Sequence, residues 1–219
     1  VYSAGGIDNN AVLWKDGVAT ILTNNPATGN KYAFAYKTLV YNNDVYVLGV
    51  ESDSATNGYL STIKLWKNSV LSNITNGTTD AEASSMDVYN GDVYICGTET
   101  IGNNNIVTKL WKNGVASILP KDTFDYTYPS SIKVVNGDVY VSGDGSRYNP
   151  NLGYSTSRAL YWKNGIINFL STAGINYGYT SGIFASNGDL YFTGRETNNT
   201  QTANTGVYWK NGVKTTLTF

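Results

Sequence analysis

Five copies of one short motif constrain this chain more than anything else in it. All five tryptophans stand in that motif: Trp14-Lys15-Asp16-Gly17, Trp66-Lys67-Asn68-Ser69, Trp111-Lys112-Asn113-Gly114, Trp162-Lys163-Asn164-Gly165 and Trp209-Lys210-Asn211-Gly212, at spacings of 52, 45, 51 and 47 residues. A second motif alternates with it: Asn42-Asn43-Asp44-Val45-Tyr46, Asn90-Gly91-Asp92-Val93-Tyr94, Asn136-Gly137-Asp138-Val139-Tyr140 and Asn187-Gly188-Asp189-Leu190-Tyr191. Each copy runs on to a glycine, at Gly49, Gly97, Gly143 and Gly194, and the chain opens inside a further copy at Val1-Tyr2-Ser3-Ala4-Gly5. Self-similarity at such a period marks an array of supersecondary units.

Asn-Gly between short apolar runs predicts a tight hairpin, because a type I′ turn needs positive φ at both central residues. Each full repeat therefore holds two hairpins and four strands, a to d. In the repeat ending at Trp162 they are expected near 131–135, 139–143, 159–163 and 166–170. No stretch shows a capped 3.6-residue period. Four-stranded units of about 45 residues have the period of propeller blades. The expected fold is all-β, a five-bladed β-propeller of four-stranded antiparallel blades. It forms one domain over 1–219, with blades near 1–30, 31–78, 79–124, 125–175 and 176–219. The first blade lacks strand a. Three readings stay open: the closing strand lies outside this sequence, the chain is a piece of a larger ring, or the first blade has three strands, either alone or completed by the other terminus.

These motifs resemble those of bacterial secreted proteins built from tandem "NGDVYVxG…YWKNG" units, which look like propellers and mostly lack an assigned function. The blade order is also similar to that of kelch blades, although the double glycine of kelch is absent after Tyr46, Tyr94, Tyr140 and Tyr191. The resemblance implies a propeller fold and an extracellular or cell-surface place.

Composition narrows the function classes. Charged residues are 14% of the chain and the net charge is −1, with no basic stripe, so nucleic acid is not an expected partner. No apolar run approaches the length that spans a membrane, and Val1 opens directly into a strand-like segment without a signal peptide. The single cysteine, Cys96, excludes an intrachain disulfide and is expected to be a buried, inert thiol. With no histidine, the commonest general base and metal ligand are both missing.

Both tight turns of a unit must lie at one end, so the long b-to-c and d-to-a connections gather at the other. Loops on a rigid scaffold carry function, and tight turns are expected to leave no room for a pocket. Aligning the d-to-a connections gives two columns just before strand a: Tyr32, Asp80, Tyr126, Tyr177, then Phe34, Glu82, Tyr128, Tyr179. If strand a is innermost, as in kelch-type propellers, these residues ring the mouth of a central channel. They suit stacking on sugar faces or on a peptide; packing between blades is the competing reading. A Gly-x-Glu pattern after strand b adds Glu51, Glu99 and Glu196, with Asp144 following Gly143 in the fourth unit. Those acids are candidates for polar contacts or for calcium, although no known loop spacing matches; hydrogen bonding to neighbouring loop backbone is the alternative. The tryptophans are expected to pack between blades, and the lysine after each to be solvated.

The expected function is a non-catalytic ligand-binding module with a glycan, or else a protein partner, on the long-loop face. A structural or assembly domain is the rival reading. A glycan-active enzyme ranks third, because no carboxylate pair stands out from its repeat equivalents.

Overall fold

The computed structural model describes residues 1–55, 60–103, 105–171, 177–197 and 204–217. Among them there are nineteen strands and no helix. The first unit is a three-stranded sheet of β1 (Tyr2–Ile7), β2 (Asn10–Lys15) and β3 (Val18–Ile21). The second is β4 (Lys31–Tyr41), β5 (Asp44–Asp53), β6 (Leu60–Lys67) and β7 (Val70–Asn73). The third is β8 (Ala81–Tyr89), β9 (Asp92–Ile101), β10 (Asn105–Lys112) and β11 (Val115–Ile118). The fourth is β12 (Tyr126–Val135), β13 (Asp138–Asn149), β14 (Tyr154–Lys163) and β15 (Ile166–Phe169). The fifth is β16 (Tyr177–Ser186), β17 (Asp189–Thr197), β18 (Asn204–Lys210) and β19 (Val213–Thr216).

Each unit is an antiparallel meander, as expected. The division into five separate sheets is not met: the fourth and fifth units share one eight-stranded sheet. The cause is local, a single parallel bridge from Ser157 of β14 to Tyr177 at the start of β16. The first unit stands at three strands. Among the described residues, β19 pairs with β18 alone and completes nothing else. Phe219, whose distance from Val1 would report on ring closure, lies outside the described residues.

The tight turns follow the residue chemistry. Asn113 and Gly114 have φ of 50° and 82°, and Asn68 and Ser69 have 51° and 67°, so serine does occupy a left-handed position. The two turns of a unit are also tied to each other. Asp44 of the a-to-b turn accepts from Asn68 Nδ2 at 2.7 Å and pairs with Lys67 Nζ at 2.7 Å, while Val45 N–H donates to Asn68 Oδ1 at 2.9 Å. The same lysine–aspartate pair recurs as Lys112–Asp92, Lys163–Asp138 and Lys210–Asp189. In each unit the ammonium also lies over the tyrosine two residues after the aspartate. The expectation of a merely solvated lysine is corrected. These contacts hold the four aspartates below the usual carboxylate range.

Strand a is longer than the sequence suggested, and the repeated glycine explains why. In the second to fifth units the a–b register shifts at one place: Ala35/Lys37, Ala83/Ser85, Pro129/Ser131 and Thr180/Gly182. Each shift is a β-bulge, with one extra residue on strand a. The carbonyl just before it turns toward the facing strand b. A Cβ on Gly49, Gly97, Gly143 or Gly194 would collide with the carbonyl of Phe34, Glu82, Tyr128 or Tyr179. Pairing then resumes beyond the glycine, so both strands run on toward the long-loop end.

The core lies between units. Trp66 packs against Ala11 and Leu13, Trp111 against Tyr46, Leu48 and Leu65, Trp162 against Tyr94 and Cys96, and Trp209 against Ala159. Each tryptophan thus seals its unit against the preceding one. Burial pushes the Cys96 thiol up to about 12, which keeps it protonated and inert. First strands lie side by side, β4 on β8, β8 on β12 and β12 on β16, and this row positions the site.

Candidate functional site

Beyond the bulge, antiparallel register places the second aromatic column directly opposite the middle residue of the Gly-x-Glu pattern. Phe34 faces Val50, Glu82 faces Thr98, Tyr128 faces Asp144 and Tyr179 faces Arg195. Residues directly opposite in a ladder project from the same side of the sheet. The four pairs are therefore one position repeated in four units, and only in the last two units does it carry both an aromatic ring and a charge.

Those two units meet through β12 and β16. Between them lies a cavity of about 430 Å³ lined by Asp144, Tyr179, Thr180, Ser181, Gly194 and Arg195. Its wall is held by hydroxyls: Ser130 Oγ, on the bulge, is 2.8 Å from both Ser142 Oγ and Thr180 Oγ1, and Thr180 Oγ1 donates to the Gly143 carbonyl at 3.2 Å. The Arg195 guanidinium lies 5.0 Å from the centre of the Tyr179 ring. Tyr177 and Tyr179 are near-parallel at 6.4 Å, Tyr154 stacks on Tyr177 at 6.3 Å, and Tyr126 and Tyr128 stack at 6.4 Å. Tyr128 keeps 41% of its surface exposed, so the column is a half-open platform and not a sealed inter-unit contact.

Electrostatics single out one carboxyl. Burial pushes Asp144 up to about 7, and the charge of Arg195 offsets only part of that cost. Desolvation disfavours the charged form of an acid, and a carboxyl poised near neutrality in a cleft is a candidate functional group. Tyr128 is raised as well, first by burial and then by Tyr126 and Asp144.

The other expected site residues are spread around the molecule. Tyr32 and Phe34 are about half exposed in the second unit, with Phe34 against Gly6 of the first. Asp80 accepts the Ser61 N–H at 2.9 Å, tying the third unit to the second. Glu82 is exposed on β8. The Gly-x-Glu acids do not converge: Glu51 pairs with Lys64 at 3.3 Å, Glu99 with Lys109 at 2.6 Å and Glu196 with Lys214 at 2.8 Å, each within its own unit. Thr79 also donates to Glu99. Among the described residues no three acids or cysteines gather as a metal-holding group. Parts of the long loops, at 56–59, 104, 172–176 and 198–203, lie outside the described residues.

Two features escaped the sequence reading. The Gly-x-Glu pattern points to Glu196 and not to Arg195 beside it, although the aligned column Val50, Thr98, Asp144, Arg195 shows charge appearing only in the last two units. The tight-turn end, expected to have no room for a pocket, holds a cavity of about 290 Å³ lined by residues including Tyr140, Tyr161, Asp138 and Asp189. Its aspartates are already paired to Lys163 and Lys210, so it presents little uncompensated charge.

No protein-family model and no curated protein matches the sequence. Among solved structures, the chain is similar to one described as a glycoside hydrolase, with a TM-score of 0.52 and 8% identity over 89% of this chain and 75% of that one. An exo-1,5-α-L-arabinanase from a bovine ruminal metagenomic library aligns with a TM-score of 0.48 and 8% identity, over 95% of this chain and 90% of that one. At this identity the likeness is one of fold. The first of these findings overturns the expectation of a non-catalytic module and of a chain that is no enzyme. A similar fold is found in a protein described as a glycoside hydrolase, and glycoside hydrolysis uses carboxylates, so a missing histidine is no argument against that chemistry.

Proposed function

We propose that the chain is a glycan-active enzyme, a glycosidase. Its units are the blades of a β-propeller, and its site is the cleft between the fourth and fifth units at the long-loop end. Asp144 is the observation that carries this reading: a carboxyl in a tyrosine-lined cleft, raised to about 7. A glycosidic oxygen leaves readily only once protonated, so such an enzyme needs an acid that keeps its proton near neutral pH. Tyr128 and Tyr179 supply flat faces for the C–H surface of a sugar ring, and Thr180 and Ser181 supply hydroxyls beside them. A second carboxylate completes the chemistry, as nucleophile or as the base that activates water. Among the described residues the cavity's own lining supplies one carboxyl, Asp144, so that partner must come from outside the lining. The row of first strands β4, β8, β12 and β16 supports the blade reading. An extracellular place suits a polysaccharide substrate.

Release of reducing ends from a panel of soluble polysaccharides tests the proposal. Wild type should cleave at least one of them, with activity falling as pH rises through about 7, where Asp144 loses its proton. Asp144→Asn should lower kcat by about 10²- to 10⁴-fold with little change in KM. Cleavage by the Asn variant at the wild-type rate, or no cleavage of any member, would refute the assignment.

A further inference from the structure

The geometry points to a substrate that carries a carboxylate, a uronic-acid glycan, with Arg195 as the residue that recognises it. This inference rests on the cleft being the glycan site, and not on a bond being broken there. Arg195 lines the cavity, and its guanidinium lies over the Tyr179 ring. Elsewhere several lysines are matched to acids, within one unit as in Lys64–Glu51, Lys109–Glu99 and Lys214–Glu196, and between units as in Lys133–Asp87. Arg195 forms no such ion pair among the described residues, and its charged neighbour in the cavity is Asp144. Asp144 is a poor counter-ion near neutral pH, because burial keeps much of it protonated. The cleft therefore holds an exposed cation that has no ion-pair partner among the described residues and that Asp144 offsets only in part.

A planar guanidinium held against an aromatic ring presents its free N–H edge to a ligand, and that edge matches a carboxylate bidentately. A uronate suits both halves of the cleft. Its ring face stacks on tyrosine, and its carboxylate reaches Arg195. Its negative charge would also disfavour ionisation of Asp144, leaving the proton where glycoside cleavage needs it. A neutral sugar would satisfy the tyrosines and leave the guanidinium unmatched.

Equilibrium binding tests this without relying on turnover. Pentamers of galacturonate, glucuronate and mannuronate are each compared with their methyl esters, which keep the sugar and remove the charge. For wild type, at least one acid should bind about tenfold or more tighter than its own ester, and the gap should narrow with added salt. Arg195→Gln should erase the gap between acid and ester, whatever its effect on ester binding; Arg195→Lys, which keeps the charge without the planar fork, should retain part of it. Equal binding of acid and ester by wild type, binding of neither, or a gap that survives Arg195→Gln would each overturn the inference. Preferential binding of the acid with no cleavage would leave Arg195's role standing and remove the enzymatic reading.

Discussion

At the residue scale, Asp144 and Arg195 show how one repeated position becomes a site. Both follow the repeated glycine and both face a tyrosine across the ladder. What differs is solvation: Asp144 is half-buried and Arg195 is exposed at the cleft's edge. This has a consequence for stability. A carboxyl whose folded value is raised to about 7 from an ordinary 3.8 binds its proton more tightly in the folded state. Its contribution is fully present below about pH 4 and is lost as pH rises through 7. Asp144→Asn, which cannot ionise, should melt with wild type at pH 4 and above it at pH 8, by about 1 kcal/mol or more. Parallel melting curves across that range would show that Asp144 is not desolvated. The serine at Ser69 is a second departure from the repeat, held at a φ where the other copies use glycine.

At the element scale, the bulge on strand a sets the site's geometry. It inserts Tyr36, Ser84, Ser130 and Ser181 at equivalent places and re-aims everything beyond. The inserted residues also stitch units together: Tyr36 Oη donates to the Ala83 carbonyl at 2.7 Å, and Ser130 reaches Thr180. The glycine facing each bulge is a condition of this arrangement. Gly97→Ala places a methyl against the Glu82 carbonyl and Ala83 Cα, in a unit away from the cleft. It should cost about 1–3 kcal/mol in a urea melt; an unchanged midpoint would mean that the backbone gives way freely there. A glycine inside a strand pattern signals a bulge as well as a strand end; strands expected to start at 131 and to stop at 143 instead run from 126 and on to 149.

At the scale of the whole molecule, stability runs from unit to unit through the tryptophans. Trp111 is 2% exposed between the second and third units, whereas Trp14, in the first unit, is only half-buried. Trp111→Ala should cost about 3–5 kcal/mol, and Trp14→Ala about 1 kcal/mol; equal losses would show that the first unit is sealed as the others are. Much of this architecture was legible beforehand. Trp-Lys-Asn-Gly and Asn-Gly-Asp specify turns, strands and the ion pair joining them through contacts within one unit, and each copy repeats the same local physics. The candidate site was legible only as columns of tyrosines and acids. Which of those acids stay paired within their own unit, and which one is half-buried beside an arginine of the next, depends on how separate units pack. Asp144 and Arg195 lie far apart in the chain and occupy the same place in its repeat. Spacing therefore treats them alike, and only the tertiary structure, by packing one unit on the next, sets an exposed arginine beside a half-buried aspartate.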